Sequence, residues 1–169
     1  MIVNFEACRY NMSRISGGFT SPMFPGEYSD NTDCTWQINR RPNYTLELSF
    51  PVFELETSKY CNGPNCPCDY IDIVESSSEN GADVFIGRYC NVSALPEVVK
   101  SNADYLKVYF HSDTNVRGNG FKALYEMKLH KEGIGQTGKI TCESMTWLSI
   151  SNLSQVMFVM VKQGQVALP

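Results

Sequence analysis

No apolar run in the sequence approaches the roughly 18 residues that a membrane-spanning helix requires, so no segment reads as a span. Charge is also sparse. Asp, Glu, Lys and Arg make up 19% of the 169 residues, against about a quarter in an ordinary soluble domain. The balance is negative, with a net charge of −4. A nucleic-acid binder would need a basic face for phosphates, so that class is excluded. Catalytic signatures are missing too. There is no His-Glu-x-x-His and no Gly-x-Ser-x-Gly. His111, Ser112 and Asp113 supply the three residue types of a hydrolase triad, but neighbours on a strand point to opposite faces. His130 stands alone in a polar stretch. The chain is therefore expected not to be an enzyme. The opening Met1–Cys8 lacks the basic patch, apolar run and small-residue cleavage site of a secretory leader. The expectation is a fragment, or a misassigned start, of an extracellular protein.

Cysteine, by contrast, is plentiful. There are seven: Cys8, Cys34, Cys61, Cys66, Cys68, Cys90 and Cys142. Six fall in the first 90 residues, which points to disulfides and an oxidising compartment. Structural zinc prefers paired Cys-x2-Cys knuckles, and the sequence has none. Acceptor sequons at Asn11, Asn43, Asn91 and Asn152 fit a secreted glycoprotein.

Between residues 7 and 126 the apolar residues recur with period two. Trp36 and Ile38 alternate with polar neighbours, as do Leu46, Leu48 and Phe50. Leu106, Val108 and Phe110 repeat the pattern, and Phe121 to Tyr125 close it. Tyr70–Val74 and Val84–Tyr89 are two further strand candidates. Turn clusters separate them: Phe24-Pro25-Gly26, Asn62-Gly63-Pro64 and Asn80-Gly81. Many short strands with one apolar face each predict two packed sheets, an all-β sandwich. Trp36, Leu46, Leu48, Val108, Phe110 and Phe121 are the predicted core. Residues 127–169 differ, carrying two acids where the preceding 126 residues carry 16. His130–Lys139 reads as a linker and Trp147–Val161 as a strand or short helix in a C-terminal appendage. Gly133-Ile-Gly135-Gln-Thr-Gly138 spells a dinucleotide fingerprint, but Met127-Lys-Leu-His-Lys-Glu before it reads as too polar for the buried strand that motif needs. A phosphate loop needs Ser or Thr where Ile140 stands.

Several of these patterns, in order and at matching distances, resemble the CUB domain. They are Gly18-Phe-Thr-Ser-Pro22, Phe24-Pro25-Gly26-x-Tyr28, Cys34-x-Trp36-x-Ile38, Phe53-Glu-Leu55-Glu56, Cys66-x-x-Asp69-Tyr70 and Gly87-Arg-Tyr-Cys90. Phe110-x-Ser112-Asp113 and Gly120-Phe121-x-Ala-x-Tyr125 complete the series. The resemblance covers residues 8–126 and implies a compact antiparallel β-sandwich of jelly-roll type stapled by disulfides. It implies the bridges Cys8–Cys34 and Cys66–Cys90, leaving Cys61 and Cys68 to close a small extra loop. The close spacing of Cys66 and Cys68 leaves a second pairing open, Cys61–Cys66 with Cys68–Cys90. Cys142 is then left over.

Three acids are the most informative polar residues. Glu56 and Asp69 flank the cysteine-rich loop, and Asp113 ends a late strand. Loops of a sandwich gather at its ends, and carboxylates converging there need a cation. Calcium takes about six to eight hard oxygen ligands. The resemblance to calcium-binding CUB domains implies Glu56, Asp69 and Asp113 as ligands, with backbone carbonyls of Asn115 and Val116 completing the cage. It implies that Tyr28 orients Glu56 by a hydrogen bond. It also implies a function: a non-catalytic extracellular module that receives a Lys or Arg of a partner protein at the calcium end. CUB modules also occur as accessory domains of secreted multidomain proteases, which is the alternative role the resemblance carries.

Overall fold

The computed structural model describes residues 8–61, 63 and 65–130. The expected appendage, with Cys142, Asn152 and Trp147–Val161, lies outside the described residues. Among the described residues, nine strands form two sheets. One sheet has the order β1 (Cys8–Met12), β3 (Asp33–Asn39), β8 (Tyr105–His111), β5 (Tyr70–Ser76), β6 (Val84–Tyr89). The other has the order β2 (Ser16–Thr20), β9 (Gly120–Leu129), β4 (Tyr44–Glu54), β7 (Val99–Ser101). A single 3-10 turn, Val92–Ala94, is the only helical element among the described residues.

The period-two patterns build the core as expected. Trp36 and Ile38 on β3, Leu106, Val108 and Phe110 on β8, and Ile71 and Ile73 on β5 all point into the sandwich. Leu46 and Leu48 on β4 and Phe121, Ala123 and Tyr125 on β9 meet them from the other sheet. Phe121 is the hub. Its ring lies 5.5 Å from Trp36 and 5.6 Å from Phe110, edge to face in both cases. Large aromatic surfaces in such contacts dominate the energetics of a small core.

The pattern breaks in three places. β4 carries a bulge between Ser49 and Val52, where three steps on β4 oppose two on β9. Pro51 stands inside it, without an N–H for the ladder. The extra residue changes which side chains face inward. Phe50, expected beside Leu46 and Leu48, is only half-buried, while Phe53 and Leu55 are buried. β9 runs on to Leu129, past the expected boundary at 126, because Met127 continues the alternation and pairs with Leu46. His130 closes it with its N–H on the Asn43 carbonyl at 2.7 Å. Finally, β1 pairs with β3 in parallel, the one such pair among the described strands.

Three disulfides among the described residues staple this frame: Cys8–Cys34, Cys66–Cys90 and Cys61–Cys68. The first joins residues directly opposite in the β1–β3 ladder. The second ties the β4–β5 loop to the end of β6.

Candidate metal centre

The register brings three loops to one end of the sandwich. Asp33 at the start of β3 and Tyr70 at the start of β5 both lie opposite His111 at the end of β8. Glu54 at the end of β4 lies opposite Gly120 at the start of β9. The connecting segments 21–32, 55–69 and 112–119 must therefore meet there.

Backbone hydrogen bonds lock the first and third of these loops together. The Asn31 N–H donates to the Asp113 carbonyl at 2.7 Å, and the Ser112 N–H to the Thr32 carbonyl at 3.0 Å. The Ser112 hydroxyl accepts from the Thr32 N–H and donates to the Ser29 carbonyl. It is thereby fully engaged and buried, which removes it from any triad with His111. His111 instead faces Asp33 on the sheet surface at 2.7 Å and lies over Tyr70. Arg117 crosses to Asp30 with two bonds of 2.6 and 2.7 Å. Two glycines permit the close approach of these segments. A Cβ on Gly118 would overlap the Glu54 carbonyl, and Gly120 adopts a φ of +88° against Ser21.

Inside this frame, one carboxylate oxygen each from Glu56, Asp69 and Asp113 lies within 4.8 Å of the others. Glu56 and Asp69 are buried, at 4% and 1% exposure, and Asp113 is half-buried. Asp69 is the organiser. One of its oxygens accepts the Tyr28 hydroxyl at 2.5 Å, and the other accepts the Asp113 N–H at 2.7 Å. Tyr28 in turn accepts the Glu56 N–H at 3.1 Å. This corrects the expected role of Tyr28. It orients the carboxylate of Asp69, and it touches Glu56 only through the backbone.

Burial pushes the Glu56 carboxyl above the usual carboxylate range; a Ser58 hydrogen bond opposes this, and the charges of Asp69 and Asp113 add to it. Burial also pushes Asp69 up, against the hydrogen bonds from Tyr28 and the Asp113 N–H. The Tyr28 hydroxyl is raised by burial and by its bond to Asp69, so it keeps its proton as a donor. Glu56 Oε2 is buried with no hydrogen-bond partner. A buried carboxylate oxygen without a donor is costly. The arrangement is a set of hard oxygen donors with an uncompensated negative charge, and calcium suits that chemistry. Asn115 and Val116 lie exposed in the same loop as Asp113. The Asn115 N–H donates to Asp113 Oδ1 at 2.9 Å, and Val116 sits at a φ of 57°, rare for a β-branched residue. A second group, Glu56 with Cys61 and Cys68, has its sulfurs consumed in a disulfide and offers no thiolate.

Of the acceptor asparagines, Asn11 and Asn43 are exposed. Asn91 is half-buried and caps the 3-10 turn, its Oδ1 accepting the Ser93 N–H at 3.0 Å and the Ser93 hydroxyl at 2.7 Å. The ion pair Asp30–Arg117 was not anticipated. Its partners are 87 positions apart, and no local pattern joins them.

The described residues form an all-β module, a two-sheet sandwich stapled by disulfides, with three clustered carboxylates in the loops at one end. Comparison with known proteins gives its family. Residues 8–125 match the CUB domain, and the chain belongs to that family. It is 36% identical over 120 residues to human tolloid-like protein 2, covering 70% of this chain and 11% of that protein. The chain thus spans about a tenth of that relative's length. The solved CUB1-EGF-CUB2 domain of human MASP-1/3 superimposes with a TM-score of 0.58 at 25% identity, covering 69% of this chain and 40% of that one. The MASP-1 CUB2 domain, solved bound to Ca2+, shares the fold with a TM-score of 0.57 at 23% identity, over 69% of this chain and 96% of that one. CUB domains are non-catalytic interaction modules, and this chain carries one.

Proposed function

We propose that residues 8–130 form an extracellular calcium-binding module that recognises a Lys or Arg of a partner protein, with the residues after 130 as linker and tail. The observation that carries this reading is the convergence of Glu56, Asp69 and Asp113, with Glu56 Oε2 buried and unpartnered. These three carboxylates, with carbonyls of Asn115 and Val116, would hold the ion. Bound there, calcium would offset two of the three negative charges and pin the loops that carry them.

The surrounding residues favour a basic partner. The three loops contain five acids, Glu27, Asp30, Glu56, Asp69 and Asp113, against two bases, Lys59 and Arg117. Arg117 is already engaged by Asp30. An ammonium or guanidinium reaching a half-buried carboxylate here would form charge-assisted hydrogen bonds that weaken with salt.

Isothermal titration of the full chain with calcium tests the site. A lysine-bearing peptide, with an acetylated-lysine control, tests the partner. Expected are one calcium per chain, strong weakening in Asp113→Ala with the fold retained, and peptide binding only with calcium and only with free lysine. If no heat evolves with calcium and the melting temperature is the same in chelator and calcium, the site reading is wrong.

A further inference from the structure

The segment from Glu56 to Asp69 joins two of the three clustered carboxylates. The Cys61–Cys68 bridge closes a short ring within it, with a Cα–Cα distance of 5.3 Å and a sequence separation of 7. Cys68 directly precedes Asp69. Both sulfurs lie within 4.8 Å of a Glu56 carboxylate oxygen and of each other. Cys61 is buried, at 5% exposure. The ring is itself anchored, because Cys66 inside it is bonded to Cys90 at the end of β6. A disulfide sulfur is soft and uncharged, so it does not compete for a hard cation and offers no hydrogen to the carboxylate beside it. The bridge therefore walls Glu56 without satisfying it.

We infer that the Cys61–Cys68 bridge is a positioning device for the cation site. It holds the ends of the loop at Glu56 and Asp69 in their ligating arrangement before the ion arrives. The inference rests on the calcium reading above and deepens it. Three like charges this close repel, and a slack loop would let Glu56 swing out to water. Binding would then have to re-order the loop, and the lost entropy would appear as weaker affinity. With the ring closed, that ordering is already complete in the ion-free protein.

The test is calcium titration of the full chain as wild type and as Cys61→Ser/Cys68→Ser. The control is Met127→Ala, which opens a cavity in the core seven residues along β9 from Gly120. The double variant is expected to bind calcium at least about fivefold more weakly. The chain-entropy relation for a ring this short sets a ceiling of about sixtyfold. Met127→Ala is expected to lower the melting temperature and leave calcium affinity unchanged. If the double variant does not fold, inserting two glycines after Asn65 enlarges the ring with every cysteine kept and is expected to weaken binding likewise. If the altered ring binds calcium within about twofold of wild type, or if Met127→Ala weakens binding as much, the bridge has no positioning role. In either case the calcium reading stands. If wild type itself binds no calcium, that reading fails, and the inference with it.

Discussion

Asp69→Asn separates the structural and metal-holding roles of the buried carboxylate. Asp69 is 1% exposed and accepts the Tyr28 hydroxyl at 2.5 Å and the Asp113 N–H at 2.7 Å. An asparagine in the same place keeps an oxygen on the Asp113 N–H but turns its amide nitrogen to the Tyr28 oxygen, which leaves the buried Tyr28 hydroxyl hydrogen without its acceptor. The Asp113 bond becomes a neutral one, a loss of about 1 kcal/mol, and the orphaned Tyr28 donor costs about 1–3 kcal/mol. Against this, the substitution removes one charge from three carboxylates whose oxygens lie within 4.8 Å of one another. At an effective dielectric of about 20, each such pair repels by roughly 3 kcal/mol. Asp69 belongs to two of the three pairs. In chelator near neutral pH the variant should therefore melt at or above wild type. In calcium at about a hundredfold excess over its dissociation constant, wild type gains roughly 2.7 kcal/mol. For a folded unit of this size that is about 8–10 °C. The variant should lose most of this gain, so the order of the two melting temperatures reverses between buffers. Melting followed by circular dichroism reads both. An equal drop in chelator and in calcium would refute the reasoning, since Asp69 would then be a purely structural group.

The same site sets the pH dependence. Glu56 and Asp69 have folded-state values raised by burial. Their contribution to stability is full below the unfolded value of about 4 and is lost as pH rises through the raised folded values. Melting temperature in chelator should thus rise on acidification from neutral pH toward 5, calcium should flatten that slope, and a falling chelator profile would contradict the burial argument. Tyr28→Phe strips the donor from Asp69 and the acceptor from the Glu56 N–H, and should cost about 1–3 kcal/mol in chelator melts. Gly118→Ala drives a Cβ into the Glu54 carbonyl, so it should lose roughly 2–4 kcal/mol and also weaken calcium, because the Asp113 loop must shift.

The two sheets were legible because alternation is a local property. Leu106, Val108 and Phe110 announce a buried face within six residues, wherever their partners lie. β7 escaped because three residues, Val99–Ser101, are too few to show a period. β1 and β2 escaped because Arg9, Tyr10, Gly17 and Gly18 are exposed edge positions with no apolar alternation. The bulge at Ser49–Val52 was hidden for a related reason. Pro51 hints at it, but only the pairing with β9 shows that the inward face changes there.

At the site, the resemblance to calcium-binding CUB domains singled out Glu56, Asp69 and Asp113, and the fold brings the three together because they lie at strand ends that a sandwich gathers. Their division of labour was not legible in the sequence. Tyr28 bonds Asp69 across 41 positions and meets Glu56 only at its backbone N–H. Which oxygen a phenol reaches is decided within an ångström, by how the loops settle on Gly118 and Gly120 once both sheets have packed. The cysteine pairing has the same character. Spacing alone left Cys66 and Cys68 interchangeable, two positions apart. The fold joins Cys66 to Cys90 and turns Cys68 back to Cys61. A residue's chemistry is written at its own position, whereas a contact between distant residues exists only after the chain between them has been placed.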